Sequence, residues 1–265
     1  MNIKNFAVIG ISHEILSMQE REEVIKQKPR VLFEELFQAG DIKAYVDLST
    51  CLRVEFYLEL EENKSLEDIQ KRFPVQKGLQ SKQGEEALLY LAKVVCGFFS
   101  VIKGEDQILA QVKQAYAKAL EEEHSSKLCN IIFHKIIELG KKFRSKSNIA
   151  HQALSLEAIS LRSIRERVPS LQNHKAEEVS NIYQVNMIDF REKYQWIAEA
   201  DIIISATSAS HIVLEYEKFL QYKQDKEYFM LDLAVPRDID PRIADLEKIE
   251  VLNLDDIWKI SKEHS

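Results

Sequence analysis

The stretch Ala44-Tyr45-Val46-Asp47-Leu48-Ser49-Thr50-Cys51-Leu52-Arg53-Val54-Glu55-Phe56-Tyr57-Leu58-Glu59-Leu60 decides how the first half of the chain folds. Val54, Phe56, Leu58 and Leu60 alternate with Glu55, Tyr57 and Glu59, the period of a half-buried strand. The spacing predicts a strand pair over 43–60, interrupted near Cys51. That interruption places a thiol and a guanidinium two residues apart at a strand junction. A thiolate is a strong nucleophile and a nearby cation favours it over the thiol. Arg53 offers a planar fork that holds a carboxylate or phosphate by two bonds. The same cysteine also reads as a small buried hydrophobe, the usual fate of a free thiol.

Outward from this pair, residues 5–12 read as a strand, 18–38 as a helix, 65–73 as a helix and 74–79 as a short strand. The order strand-helix-strand-strand-helix-strand fits a small split α/β sandwich. Residues 84–98 carry Leu88, Leu91, Val94 and Val95 at helical spacing, and another helix begins near Glu105 with Ile108, Leu109, Val112 and Tyr116 as its buried stripe. On that helix Gln107 and Gln111 share a different face, where with Glu105 they can hold a polar ligand or simply meet water. Residues 127–144 and 153–167 look helical, the latter ending before Pro169. Beyond it, strand and helix alternate over 184–188, 190–199, 201–206, 214–222, 228–234 and 249–253, the order of an open α/β sheet. The β-branched run Asp201-Ile202-Ile203-Ile204-Ser205 predicts a strand covered on both faces.

A net charge of −7 counts against a general nucleic-acid binder, so only a local patch is expected to meet RNA. Lys141, Lys142, Arg144 and Lys146 form the densest basic cluster, which reads either as a phosphate contact or as a solvated helix face. No apolar run approaches spanning length and no export signal is present, so a cytoplasmic protein without membrane contact is expected. Cys51, Cys96 and Cys129 are far apart, which argues against disulfides or a zinc knuckle, and Cys96 and Cys129 read as core. The histidines are scattered and no metal site is indicated.

Several motifs together are similar to the glutamyl-tRNA reductase family: Val8-Ile9-Gly10-Ile11-Ser12-His13 with Arg21-Glu22, Ser49-Thr50-Cys51-Leu52-Arg53-Val54-Glu55, and the block from Gly97-Phe98-Phe99-Ser100 through Lys103-Gly104-Glu105-Asp106-Gln107-Ile108-Leu109-Ala110-Gln111-Val112-Lys113. Gly140-Lys141-Lys142-Phe143-Arg144, Ala200-Asp201-Ile202-Ile203-Ile204-Ser205-Ala206-Thr207 and Leu231-Asp232-Leu233-Ala234-Val235-Pro236-Arg237-Asp238 follow in the family's order. The resemblance implies an α/β protein with a split α/β catalytic and tRNA-recognition domain over 1–145 and a long connecting helix over 146–170. It further implies an incomplete Rossmann-like NADP-binding domain over 171–256 and the start of a truncated C-terminal helix over 257–265. It implies that Cys51 attacks the ester joining glutamate to tRNA and that NADPH reduces the resulting thioester to glutamate-1-semialdehyde, the first step of tetrapyrrole synthesis. Substrate contacts fall by position on Thr50, Leu52, Arg53, Ser100, Glu105, Asp106, Gln107 and Gln111, with Arg53 on the substrate carboxylate. Implied partners are glutamyl-tRNA, glutamate-1-semialdehyde aminotransferase and a second copy, although the family's dimerisation helix, which would begin after Asp255-Asp256-Ile257-Trp258, is missing from this sequence.

The chain departs from the family pattern in its active site and in its second domain. Leu52 stands where the family has asparagine, Phe99 where it has aspartate, and Tyr90 where it has the histidine linked to proton transfer. All seven glycines, the last being Gly140, precede the second domain, so the glycine-rich turn that lets a backbone approach a pyrophosphate is missing. Val168 to Asn173 runs straight to the ribose-binding stretch, as though one strand, its turn and helix, and most of the next strand were deleted. Asn173, Ser205, Thr207 and Pro236 remain as cofactor contacts. A chain that acylates at Cys51 without binding NADPH is expected to release free glutamate; the alternative reading is a reductase-inactive homologue that binds glutamyl-tRNA or a protein partner.

Overall fold

The computed structural model describes residues 2–100, 107–146, 160, 163–164, 188–207 and 209–263. They fall into two compact units, Met1–Ala153 and Leu154–Ser265. The expected connecting helix over 146–170 and the strand at 184–188 lie almost wholly outside the described residues.

In the first unit, β1 (Phe6–Ser12), β2 (Ile42–Ser49), β3 (Arg53–Leu60) and β4 (Gln80–Gln83) form one antiparallel sheet in the order β2-β3-β1-β4. The chain enters β2 through α1 (Met18–Lys26) and α2 (Arg30–Gln38), and joins β3 to β4 through α3 (Leu66–Arg72). This is the split α/β arrangement read from the sequence, with β3 inserted between β1 and β2. The single helix expected over 18–38 is two. Lys28 takes a left-handed φ of 49° and Pro29, which lacks a backbone N–H, precedes the new helix. Ser17 starts α1 with a reciprocal capping box to Glu20. The short strand expected at 74–79 begins later, at Gln80. Gly78 has φ +70°, which breaks extension, and Gln80–Gln83 is where partners on β1 become available.

Both faces of the sheet are covered. Ala7, Ile9, Ile11, Val54, Phe56, Leu58 and Leu60 pack with Val24, Phe33, Leu36 and Ile69 from α1–α3, and the Phe33 and Phe56 rings stack at 3.9 Å. Phe6, Val8, Val46, Leu48 and Tyr57 face the other core, built from α4 (Glu85–Val95), α5 (Gln107–Glu121) and α6 (Lys127–Lys146). The half-buried reading of β3 is therefore corrected: Glu55 and Tyr57 are as buried as the apolar column, because helices distant in sequence close the second face. Cys129 belongs to this core, whereas Cys96, expected there too, is only half-buried at the end of α4.

The second unit contains α7 (Lys193–Glu199), β5 (Ile202–Ser205), α8 (Tyr216–Tyr222), β6 (Tyr228–Asp232), β7 (Ile249–Asn253) and α9 (Leu254–Glu263). Its strands are parallel in the order β5-β6-β7 over a core of Tyr194, Leu214, Phe219, Met230 and Ile243. The strand covered on both faces is β6. By contrast β5 is half-buried with Ile204 53% exposed, because among the described residues it pairs with β6 alone. The C-terminal helix, expected from 257, starts at Leu254. Among the described residues, no helix is long and apolar enough to cross a membrane.

Gly10 lies opposite Glu55, and a Cβ there would sit 2.2 Å from the Val54 carbonyl oxygen and 2.7 Å from the Glu55 Cα. Backbone cannot yield as a side chain does. Gly10→Ala is expected to destabilise the first unit by about 3 kcal/mol through overpacking. Faster amide hydrogen exchange along β1 and β3 is the measurement that checks it.

Candidate active site

The turn between β2 and β3 is built by short bonds from its own residues. The Thr50 N–H donates to the Arg53 carbonyl at 2.8 Å, and the Leu52 N–H donates to Thr50 Oγ1 at 3.2 Å. The His13 N–H donates to the Leu52 carbonyl at 2.7 Å, fastening the turn to the end of β1. Cys51 sits at the tip, half-buried. Leu52 brings no side-chain hydrogen bond, but its backbone serves the turn.

Behind the tip, Arg53 is 1% exposed. Its Nη1 donates to Glu55 Oε1 at 3.1 Å, and its Nη2 makes a long 3.4 Å bond to the Phe99 carbonyl. Tyr90 Oη donates to the same Glu55 oxygen at 2.5 Å, and Tyr57 Oη donates to Glu55 Oε2 at 2.7 Å. One carboxylate thus gathers three donors from β3 and α4. Burial works against the Arg53 charge, but the neighbouring Glu55 outweighs it with help from Tyr57 and Tyr90, and the guanidinium pKa is raised. Burial first, then Glu55, lifts Tyr90 far above the ordinary phenol range, and Tyr57 is raised by the same two causes. Both tyrosines are neutral donors at physiological pH.

The structure brings Thr50, Cys51, Leu52 and Arg53 into one turn. Through Glu55 it joins Arg53 to Tyr90, and through the Phe99 carbonyl it joins Arg53 to the stretch that holds the half-buried Ser100. The Phe99 ring packs on Tyr90 at 5.2 Å, so an apolar group occupies this side of the site. Gln107 is exposed and Gln111 half-buried on α5, while Glu105, Asp106 and Asn173 lie outside the described residues. Glu55 is the residue that sequence reasoning missed. Its signal was the run Arg53, Glu55, Tyr57 on one face of β3.

In the second unit the expected cofactor contacts are already engaged. Ser205 Oγ, the Thr207 N–H and Thr207 Oγ1 all donate to the Asp238 carboxylate at 2.7–2.8 Å. Asp238 is fully buried, and Asp232 at the end of β6 accepts the N–H groups of Ala234, Asp238 and Ile239. Pro236 lies half-buried in the loop these bonds brace. The two aspartates tie the C-terminal ends of β5 and β6 into one knot.

A family model described as the N-terminal domain of glutamyl-tRNA(Glu) reductase matches residues 9–147, and one described as shikimate/quinate 5-dehydrogenase matches residues 144–260. A curated glutamyl-tRNA reductase of Fusobacterium nucleatum is 50% identical over 296 residues, covering 98% of this chain and 89% of the relative. That of Clostridium novyi is 28% identical over 302 residues, covering 97% and 73%. Both aligned spans exceed the 265 residues of this chain, so each relative holds, within its aligned stretch, residues that this chain lacks. The solved glutamyl-tRNA reductase of Methanopyrus kandleri shares the fold, with a TM-score of 0.52 at 22% identity over 98% of this chain and 74% of that one.

NADPH is the cofactor that these matches imply. The residues present do not fit its pyrophosphate: no glycine follows Gly140, and the Ser205 and Thr207 hydroxyls are spent on Asp238. Asp238→Ala would strand three donors at once and is expected to cost about 3 kcal/mol or more. Both tryptophans, Trp196 and Trp258, belong to the second unit, so their fluorescence during urea unfolding reads that loss directly.

Proposed function

Because the chain belongs to the glutamyl-tRNA reductase family, we propose that it acts on glutamyl-tRNA at the entry to tetrapyrrole synthesis, with Cys51 as the nucleophile. The observation that carries this reading is the Cys51 thiol on a braced turn beside the Arg53–Glu55 pair. The thiolate attacks the ester carbonyl carbon, a C–S bond forms, and the C–O bond to the tRNA ribose breaks as the ribose oxygen takes a proton. Arg53 keeps one face on Glu55 and only a long bond on the other, which a substrate carboxylate can replace by a shorter charge-assisted one. Thr50 holds the turn, and Ser100 borders the site through Phe99. Gln107, Gln111, Glu105 and Asp106 complete the substrate contacts by family position. NADPH, whose pyrophosphate the residues present do not fit, would supply the hydride for the family's reduction of the thioester. The protein works in the cytoplasm; a homodimer and hand-over to glutamate-1-semialdehyde aminotransferase belong to the proposal on family grounds.

A second reading is favoured by the missing glycines and by the engagement of Ser205 and Thr207. In it the chain stops after acyl transfer, and water releases free glutamate. Mixing purified protein with charged glutamyl-tRNA, with and without NADPH, separates the two. An aldehyde that forms only with NADPH supports the reductase, whereas glutamate formed under both conditions supports the hydrolytic reading. Cys51→Ser is expected to abolish either product, and undiminished turnover by that variant would remove the nucleophile assignment.

A further inference from the structure

We propose that Glu55 is a positioning residue for the acyl-transfer step, holding the Arg53 guanidinium and the Tyr90 hydroxyl as a single hydrogen-bonded unit at the substrate face of β3. The inference rests on the reading of Cys51 and Arg53 above.

Glu55 is only 2% exposed, and Gly10 lies against it across the sheet with no room even for a Cβ. It therefore acts through other groups. Its Oε1 accepts from both Arg53 Nη1 and Tyr90 Oη, while Oε2 accepts from Tyr57 Oη. Tyr57 is fully buried in the apolar core and anchors the carboxylate from below. With Oε2 fixed, the direction of Oε1 is set, and with it the plane of the guanidinium and the position of the phenol. Arg53 is left with Nη2 on the long bond to Phe99 and with Nε buried and without a hydrogen-bond partner, so these are the donors that Glu55 leaves uncommitted.

The arrangement also explains how a tyrosine fills the place where the family has a histidine. Either side chain presents a donor that Glu55 can hold. The other groups around Tyr90 are Lys82 on β4, whose Nζ lies 5.7 Å from the ring centroid, the charge of Glu14 after β1, and the Phe99 ring. Lys82 is itself paired with Glu86 at 2.8 Å, which leaves Glu55 as the carboxylate hydrogen-bonded to the phenol.

The test measures kcat and KM for ester cleavage of glutamyl-tRNA in the full chain and in Glu55→Gln, Tyr90→Phe and the double variant. Glu55→Gln is expected to lower kcat/KM on the order of a hundredfold and Tyr90→Phe about tenfold, with the double variant no worse than Glu55→Gln alone. Losses that multiply, or a Glu55→Gln enzyme within about twofold of wild type, would overturn the proposal. Should Glu55→Gln fail to fold, Tyr90→His decides. An imidazole held by Glu55 titrates above its ordinary value, so cleavage is expected to gain a limb between about pH 6 and 8 that wild type lacks. A flat profile or an inactive Tyr90→His overturns the proposal. Wild-type turnover by Cys51→Ser would instead remove the reading beneath it, so the two failures are told apart.

Discussion

A guanidinium and a carboxylate two residues apart on one strand, both withdrawn from water, set the terms for this end of the first unit. Burying such a pair stabilises little in itself, because the desolvation cost consumes most of the attraction; removing one partner is what is expensive. The surroundings are accordingly arranged to complete it. Tyr57 rises from the core to one oxygen, α4 brings Tyr90 to the other, and the segment after α4 turns the Phe99 carbonyl toward the remaining edge of Arg53. Gly10 stays bare so that β1 can lie close against β3. The Cys51 turn hangs from the same strand, which makes its position a consequence of this cluster.

The alternating pattern of β3 gave its length and its apolar column correctly, and it showed that the chain breaks at Cys51. It was silent on the second face. Alternation reports what one covering layer demands, whereas here α4, α5 and α6, all beyond α3 and β4 in the chain, close the other side. A glutamate that reads as solvated then becomes the centre of a buried network. Pro29 is a stop within 18–38 that the reading of a single helix did not use. The buried stripe of α5 was legible because Ile108, Leu109, Val112 and Tyr116 repeat at helical spacing on one face.

In the second unit the sequence located every described strand, with β7 matching residue for residue, but ranked their burial wrongly. The β-branched run at Ile202–Ile204 has the composition of a central strand, while among the described strands the central place belongs to β6. Composition does not carry strand order. Nor did it reveal that Asp232 and Asp238, embedded in an apolar stretch, are the fasteners of the loops that follow β5 and β6.

That knot has a consequence for how the second unit comes into being. In many nucleotide-binding folds the loops at the strand ends are left wanting partners, and ligand binding adds to folding free energy by mass action. Here Asp238 meets the hydroxyls and amide of those loops with groups the polypeptide already owns. This corner therefore closes on groups of the polypeptide itself, and its folding does not wait on a bound dinucleotide.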